Sequence, residues 1–422
     1  MTTRTAGQSL KTIVRTCRLL VRMNEGDPAA LKSDTIYYRM LENYFTRLMN
    51  ARENGDFIVS HTVFCPSEIL RAMDIVPMHT EVSVWMMSLF TDSTADILAS
   101  GAELGLAPEI CSAHRGISGA FMQKCVPQPN AVIWTNLFCD ASAKSGELFM
   151  HHNHCPGFYL DHPFQQTPHE VAYLKEEMRE LVQFLEEVSQ RRMDWDKLSQ
   201  IVSRVNRQIE IYREIMELRK SVPSPFPPLG YIKLFTSEQT FSGDPLLLEY
   251  LETVLQETRE NIERNKNTLS TERFRLMNLF VVPMYMTGYL EKTFREFGAV
   301  SVTEPFLCNW GEGQLDPSRP LESLVQRSYM YPSTRLYGEL GDRAIKNVLQ
   351  SARDYKIQGA LNFAHVGCRQ TAAVIKLCKD ILGEMDIPAL TIDCDVVDPT
   401  VTTQTEVREK LERFFELLEE KA

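Results

Sequence analysis

The sequence predicts an α/β protein: two Rossmann-like parallel-sheet domains with a helical N-terminus and a helical insertion between them. Three observations predict it. Two separate regions alternate short apolar runs with segments of helical period, the pattern of βα units and parallel sheets. The stretch between them keeps only helical periodicity, opened by a strong N-cap signal and closed by the proline-rich SVPSPFPPLG. The first fifty residues are helical in pattern as well. The expected divisions are 1–54, an N-terminal helical segment; 55–165, the first α/β domain; 166–230, the helical module; and 231–422, the second α/β domain.

Taken in order, TIVRTCRLLVRM and YYRMLENYFTRLM carry the apolar periodicity of two N-terminal helices. From Asp56 the texture changes. FIVSHTVF is a β-rich run, and PSEILRAM after it reads as a helix start with Ser67 near its N-cap. VSVWMMSLF is a further buried element, NAVIWTNLF a strand covered on both faces, and GFYLDHP a short strand. Thr167, Pro168 and Glu170 form a capping box with Pro at the first helical position. A second long helix follows from about Trp195 to Lys220. From about 270, RLMNLFVVPM, AVSVTEPFL, GALNFAHVGC and PALTIDCDV read as strands. Helices fall around GYLEKTFREF and QTAAVIKLCKDIL, and a closing helix begins at Thr403 and Glu406 in capping-box spacing. The two α/β regions are expected to be distant copies of one architecture.

A chain of 422 residues exceeds one compact core. A net charge of −11 argues against a nucleic-acid binder. No apolar run approaches a membrane span, and MTTRTAGQSLKTIVRTCRLL lacks the apolar core and cleavage site of a secretion signal, so a cytoplasmic protein is expected. Ten cysteines with no CxxC pair fit neither a disulfide framework nor a zinc ribbon. Most are expected to be small buried hydrophobes.

Three stand out by position. Cys139 ends NAVIWTNLFC just before the helix DASAKSGELF, and Cys368 ends GALNFAHVGC just before QTAAVIKLC. Ligands of open parallel sheets bind at the carboxyl ends of strands, and a helix N-terminus favours the thiolate that binds metal. Cys111, in PEICSAHRGISGAF, precedes another helix, packed closely at Gly119. Three thiolates from two domains can then converge on one interdomain site.

At these residues the chain resembles the 2-hydroxyacyl-CoA dehydratase D-component family, which includes benzoyl-CoA reductase subunits. The similar stretches are CPSEILRAMDIVP, PEICSAHRGISGAF, NAVIWTNLFCD, GFYLDHPF, ELRKSVPSP, HVGCRQTAAVIKLC and IPALTIDCDVVD, in family order over most of 55–420. The resemblance implies a [4Fe-4S] cluster, alone or as part of a double-cubane cluster, held by Cys111, Cys139 and Cys368. Three ligands leave one iron open. It also implies a homologous second subunit, an acyl-CoA substrate, and a separate ATP-hydrolysing iron–sulfur activator protein. No GxxxxGKS or GxxxxGKT loop is present to handle ATP in this chain. Glu68 matches the family's P-x-E motif and is the candidate catalytic residue, with a capping or surface role as the alternative. Cys308 and Cys65 are candidates for an additional ligand, against plain buried thiols. Arg115 is a candidate for a CoA phosphate or for a salt bridge, and HHNHC at 151–155 is a weak zinc candidate.

The implied reaction is dehydration of an (R)-2-hydroxyacyl-CoA through a ketyl radical, which makes the β-proton acidic enough for an ordinary base. The alternatives are a benzoyl-CoA reductase-type or double-cubane reductase subunit, and a non-catalytic electron-relay subunit.

Overall fold

A computed structural model describes residues 7–264, 268–269, 271–336 and 343–421. The chain begins with α1 (Gln8–Gly26) and α2 (Lys32–Asn50), an antiparallel pair. α1 buries Leu10, Ile13, Val14, Cys17 and Val21, one stripe at helical spacing, and α2 buries Ile36, Met40, Leu41, Phe45 and Leu48.

The first α/β unit runs β1 (Ile58–His61), α3 (Ser67–Ala72), β2 (Val76–His79), α4 (Thr80–Phe90), α5 (Thr94–Glu103), α6 (Ser112–Met122), β3 (Ala131–Thr135), α7 (Asp140–Asn153) and β4 (Gly157–Leu160). Its sheet is all parallel in the order β2-β1-β3-β4. Every residue of β1, β2 and β3 is buried, as expected of strands covered on both faces. VSVWMMSLF belongs to α4, with Thr80 to Met87 all buried.

Four helices follow: α8 (Pro168–Ser189), α9 (Trp195–Leu218), α10 (Tyr231–Phe241) and α11 (Pro245–Glu263). The capping box of α8 is formed, with the Thr167 hydroxyl accepting from the Glu170 backbone N–H. The Asp194 carboxylate caps α9 by accepting from the Lys197 backbone N–H at 2.8 Å. α11 packs on α9 and α2.

The second α/β unit comprises β5 (Phe274–Asn278), α12 (Thr287–Phe297), β6 (Ala299–Thr303), α13 (Pro320–Met330), α14 (Ile345–Asp354), β7 (Gly359–His365), α15 (Arg369–Gly383), β8 (Ala389–Cys394) and α16 (Gln404–Lys421). Its sheet is again all parallel, in the order β6-β5-β7-β8. The two sheets therefore share one topology. In each, the first strand lies between the second and the third, so the strand order reverses there and opens a crevice at the carboxyl ends. No helix among the described residues is long and apolar enough to cross a membrane.

Candidate metal centre between the two sheets

The site is built where helices begin. Cys111, Cys139 and Cys368 are the N-cap residues of α6, α7 and α15. β3 and β7, each the third strand of its sheet, deliver Cys139 and Cys368 to corresponding places. The loop before α15 lies directly on the start of α6: a Cβ at Gly367 would sit 2.5 Å from the Cys111 backbone nitrogen, so only glycine fits this approach. The contact is fastened by Ser112 to Asp395, by Arg115 to Asp398 at 2.8 Å, and by Gln370 to Asp140 at 3.0 Å. On its other side α6 is pressed against α5, where a Cβ on Gly119 would overlap the Ile97 carbonyl oxygen.

The structure thus brings the three thiols together from two domains. Burial raises the pKa of Cys139 well above the ordinary thiol value, and the neighbouring Cys111 and Cys368 add to that rise. Cys111 is raised by burial and then by Cys368. Burial raises Cys368 too, against hydrogen bonds from Thr371 and the backbone of Thr371 and Gln370. All three are free, only partly covered, and outside any disulfide.

Each sulfur also faces N–H donors at its helix start: Ala113 and His114 for Cys111, Ser142 for Cys139, and Gln370 and Thr371 for Cys368. Partial positive charge at three helix N-termini thus surrounds three soft ligands. Among the described residues no group of three His, Cys, Asp or Glu side chains closes on a point where a single ion would sit. A cubane spreads its ligands over separate corners, and three converging thiols with N–H donors fit that group.

The other candidates divide. Cys308 is buried beside Glu304 and Arg219. Cys65 is buried at the end of β1, where Thr62 lies 3.6 Å from its sulfur and burial pushes its pKa up to about 12. Arg115 is engaged by Asp398. His151 and His154 are exposed at the end of α7.

Glu68 lies in the first turn of α3, completely buried, and pairs with Arg327 of α13 at 3.1 Å. The same guanidinium bonds Glu238 of α10 at 2.8 Å and lies over the Tyr331 ring at 4.5 Å. Aromatic rings connect this seam to the thiols. Phe64 packs edge-on against Tyr331 at 5.1 Å and against Phe138, the neighbour of Cys139, at 5.7 Å.

The carboxylate that acts on Cys139 is Glu81, in the first turn of α4, a residue that no sequence motif singles out. Its oxygens accept the Val63 N–H at 3.1 and 3.2 Å and the Thr80 hydroxyl at 2.6 Å. They face His79 at 3.4 Å and His114 at 3.5 Å. Burial works to raise this carboxyl, but the His79 hydrogen bond and the nearby His114 and His79 rings bring it down to about 2. In sequence, such a residue looks like any acid favoured in a helix's first turn.

A polar cavity of about 210 Å³ opens at Leu137, two residues before Cys139, lined by His162, Tyr329, Thr334 and Arg343. A more apolar cavity of about 390 Å³ lies among α2, α11 and α12 and touches none of the three cysteines.

The chain is 24% identical to a benzoyl-CoA reductase subunit of Thauera aromatica, over 94% of its own length and 97% of the relative's. It is 20% identical to the (R)-2-hydroxyisocaproyl-CoA dehydratase alpha subunit of Clostridioides difficile, over 90% and 95%. With the lactoyl-CoA dehydratase alpha subunit of Anaerotignum propionicum it shares 21% over 70% of each chain. A family pattern described as 2-hydroxyglutaryl-CoA dehydratase, D-component, matches residues 62–418, and the chain belongs to that family.

Proposed function

We propose that this chain is the iron–sulfur subunit of an ATP-activated (R)-2-hydroxyacyl-CoA dehydratase that works through a ketyl radical. One observation carries the reading: three free thiols cap three helices at the carboxyl ends of two parallel sheets and lie within reach of each other's charge. Cys111, Cys139 and Cys368 are the ligands we assign to a [4Fe-4S] cluster. When bound, such a cluster supplies low-potential single electrons and one iron not tied to the protein.

The remaining work falls to the chain's own groups. The helix N-termini and their N–H donors stabilise negative charge on the sulfurs. The ring layer of Phe64, Phe138 and Tyr331 keeps water from the space between Cys139 and Arg327. Glu68 is the group we assign to proton movement, because its buried oxygens have no aligned hydrogen-bond donor although Arg327 is near. The cavity at Leu137 is below the usual 300–1,000 Å³ of ligand pockets and suits the reacting end of an acyl group rather than a whole acyl-CoA. Names of relatives as alpha subunits support a homologous second subunit here.

The second reading, a reductase subunit, is favoured by the match to the benzoyl-CoA reductase subunit over 97% of that protein. One assay separates them. The chain is combined anaerobically with its homologous subunit, the ATP-hydrolysing activator protein, ATP and a low-potential donor. Dehydration gives enoyl-CoA with electrons needed only in catalytic amounts. Product strictly coupled to two electrons overturns dehydration in favour of reduction, and no acyl-CoA binding by the chain indicates a relay subunit.

A further inference from the structure

His114 touches two of the three sulfurs. Its backbone N–H faces Cys111, whose helix start it shares, and its imidazole Nε2 lies 3.5 Å from Cys139 Sγ. The ring is completely enclosed, its Nδ1 is 2.7 Å from the Ser145 hydroxyl of α7, and Phe149 stacks alongside it at 6.3 Å.

Which nitrogen carries the hydrogen follows from the neighbours. Nε2 is 3.5 Å from Glu81 Oε1, and that carboxylate already accepts from the Val63 N–H and the Thr80 hydroxyl. An ionised carboxylate is an acceptor only, so the tautomer that suits this neighbour carries its hydrogen on Nε2. Nδ1 is then the acceptor, and the Ser145 hydroxyl donates to it. The hydrogen on Nε2 is shared between Glu81 and the Cys139 sulfur. Around Cys368 the donors come from its own helix start, Thr371 and Gln370.

We infer that His114 is a positioning residue that raises the reduction potential of the metal centre by donating its Nε2–H to Cys139 Sγ, with Glu81 and Ser145 fixing the ring's orientation and tautomer. The inference rests on the cluster reading given under Proposed function. A hydrogen bond to a ligand sulfur stabilises the more negatively charged, reduced state, and removing it makes reduction harder.

The test uses the full chain, purified anaerobically and reconstituted with ferrous iron and sulfide, then titrated with titanium(III) citrate under electron paramagnetic resonance. At the poise where the unaltered chain is half reduced, His114→Leu is expected to lower the reduced-to-oxidised ratio about tenfold, about 59 mV for one electron. His114→Gln, whose amide nitrogen can occupy the Nε2 position, restores most of the ratio. Ser145→Ala keeps the imidazole but frees its tautomer and moves the ratio the same way by about threefold, roughly half the His114→Leu shift on a logarithmic scale. Full iron content in His114→Leu with an unchanged ratio overturns the inference. If that variant fails to hold iron, Ser145→Ala decides, and an unchanged ratio there overturns it. An unaltered chain that holds no iron removes the cluster reading itself and this inference with it, a result seen before any variant is compared.

Discussion

The two sheets have the same strand order and place a cysteine after the third strand, yet they treat the carboxylate that follows the second strand in opposite ways. In the second domain this is Glu304, fully buried and locked by Arg219 through two bonds of 2.7 and 2.8 Å, with the Ser301 hydroxyl at 2.5 Å. In the first it is Glu81, held by histidines, a hydroxyl and a backbone N–H. Guanidinium is a permanent charge, so Glu304 is sealed into a structural pair. Imidazoles exchange protons and hydrogen bonds, and one of Glu81's touches a thiol. The two sheets thus share a strand order and a thiol position, and in the first domain that thiol has an imidazole beside it.

The largest expected effect tests the shared part of that comparison. Cys139→Ala and Cys368→Ala should each abolish iron and sulfide retention after anaerobic purification, because each removes one of three ligands. Cys308→Ala, buried beside Glu304, should keep the full complement. Full iron in Cys368→Ala would break the equivalence of the two positions.

The next effect tests the difference. Arg219→Met leaves Glu304 buried without its partner and should lower unfolding stability by about 3–5 kcal/mol. Glu81→Gln keeps the shape and leaves neighbours that can be neutral, so about 1–3 kcal/mol is expected. Denaturant unfolding followed by circular dichroism compares them. A larger loss for Glu81→Gln would mean that both acids are structural in the same sense.

How much of this is legible in the sequence depends on where residue type and position coincide. Cys139 and Cys368 end long apolar strand runs before helices, and both signals survive in one dimension. α8 can be placed from Thr167 and Glu170 because capping is local. β2 escapes the sequence pattern: it is four residues, Val76–His79, with a proline inside, tolerable because the strand is at the sheet edge. α10 has no polar face to reveal its period, since Tyr231, Leu234, Thr236, Glu238 and Gln239 are all buried. His114 and Glu81 are invisible for another reason. They are far apart in the chain and acquire meaning only when α4 and α6 pack together. Glu68 stands out by its motif, but its partners Arg327 and Glu238 come from α13 and α10, which no local pattern announces.

A smaller effect concerns how the first domain holds its additional thiol. Cys111 depends on α6 lying tightly against α5, where Gly119 meets the Ile97 carbonyl. Gly119→Ala forces the two helices apart and should destabilise the chain by about 1–3 kcal/mol. Thermal unfolding measures it. A loss below that range would mean that α5 moves easily and that the start of α6 is positioned by Gly367, Asp395 and Asp398 alone.

The last effect is one of pH and tests the two acids that share Arg327. Glu68 and Glu238 flank a single guanidinium, Arg327, with Tyr331 against them. Burial raises Glu238 from 4.5 to about 7; Arg327 acts against this, and the charge of Glu68 adds to it. The folded chain then keeps a proton on Glu238 that the unfolded chain has already lost. Stability from this group is fully present below pH 4.5 and is lost as pH rises to about 7, by at most about 1.4 kcal/mol per pH unit. Glu238→Gln is neutral at every pH and should remove that slope, so its urea midpoint should gain on the unaltered chain between pH 5 and pH 7. Equal slopes for the two proteins over that window would mean that Arg327 holds Glu238 ionised, and Glu68 would then have no protonated neighbour with which to exchange.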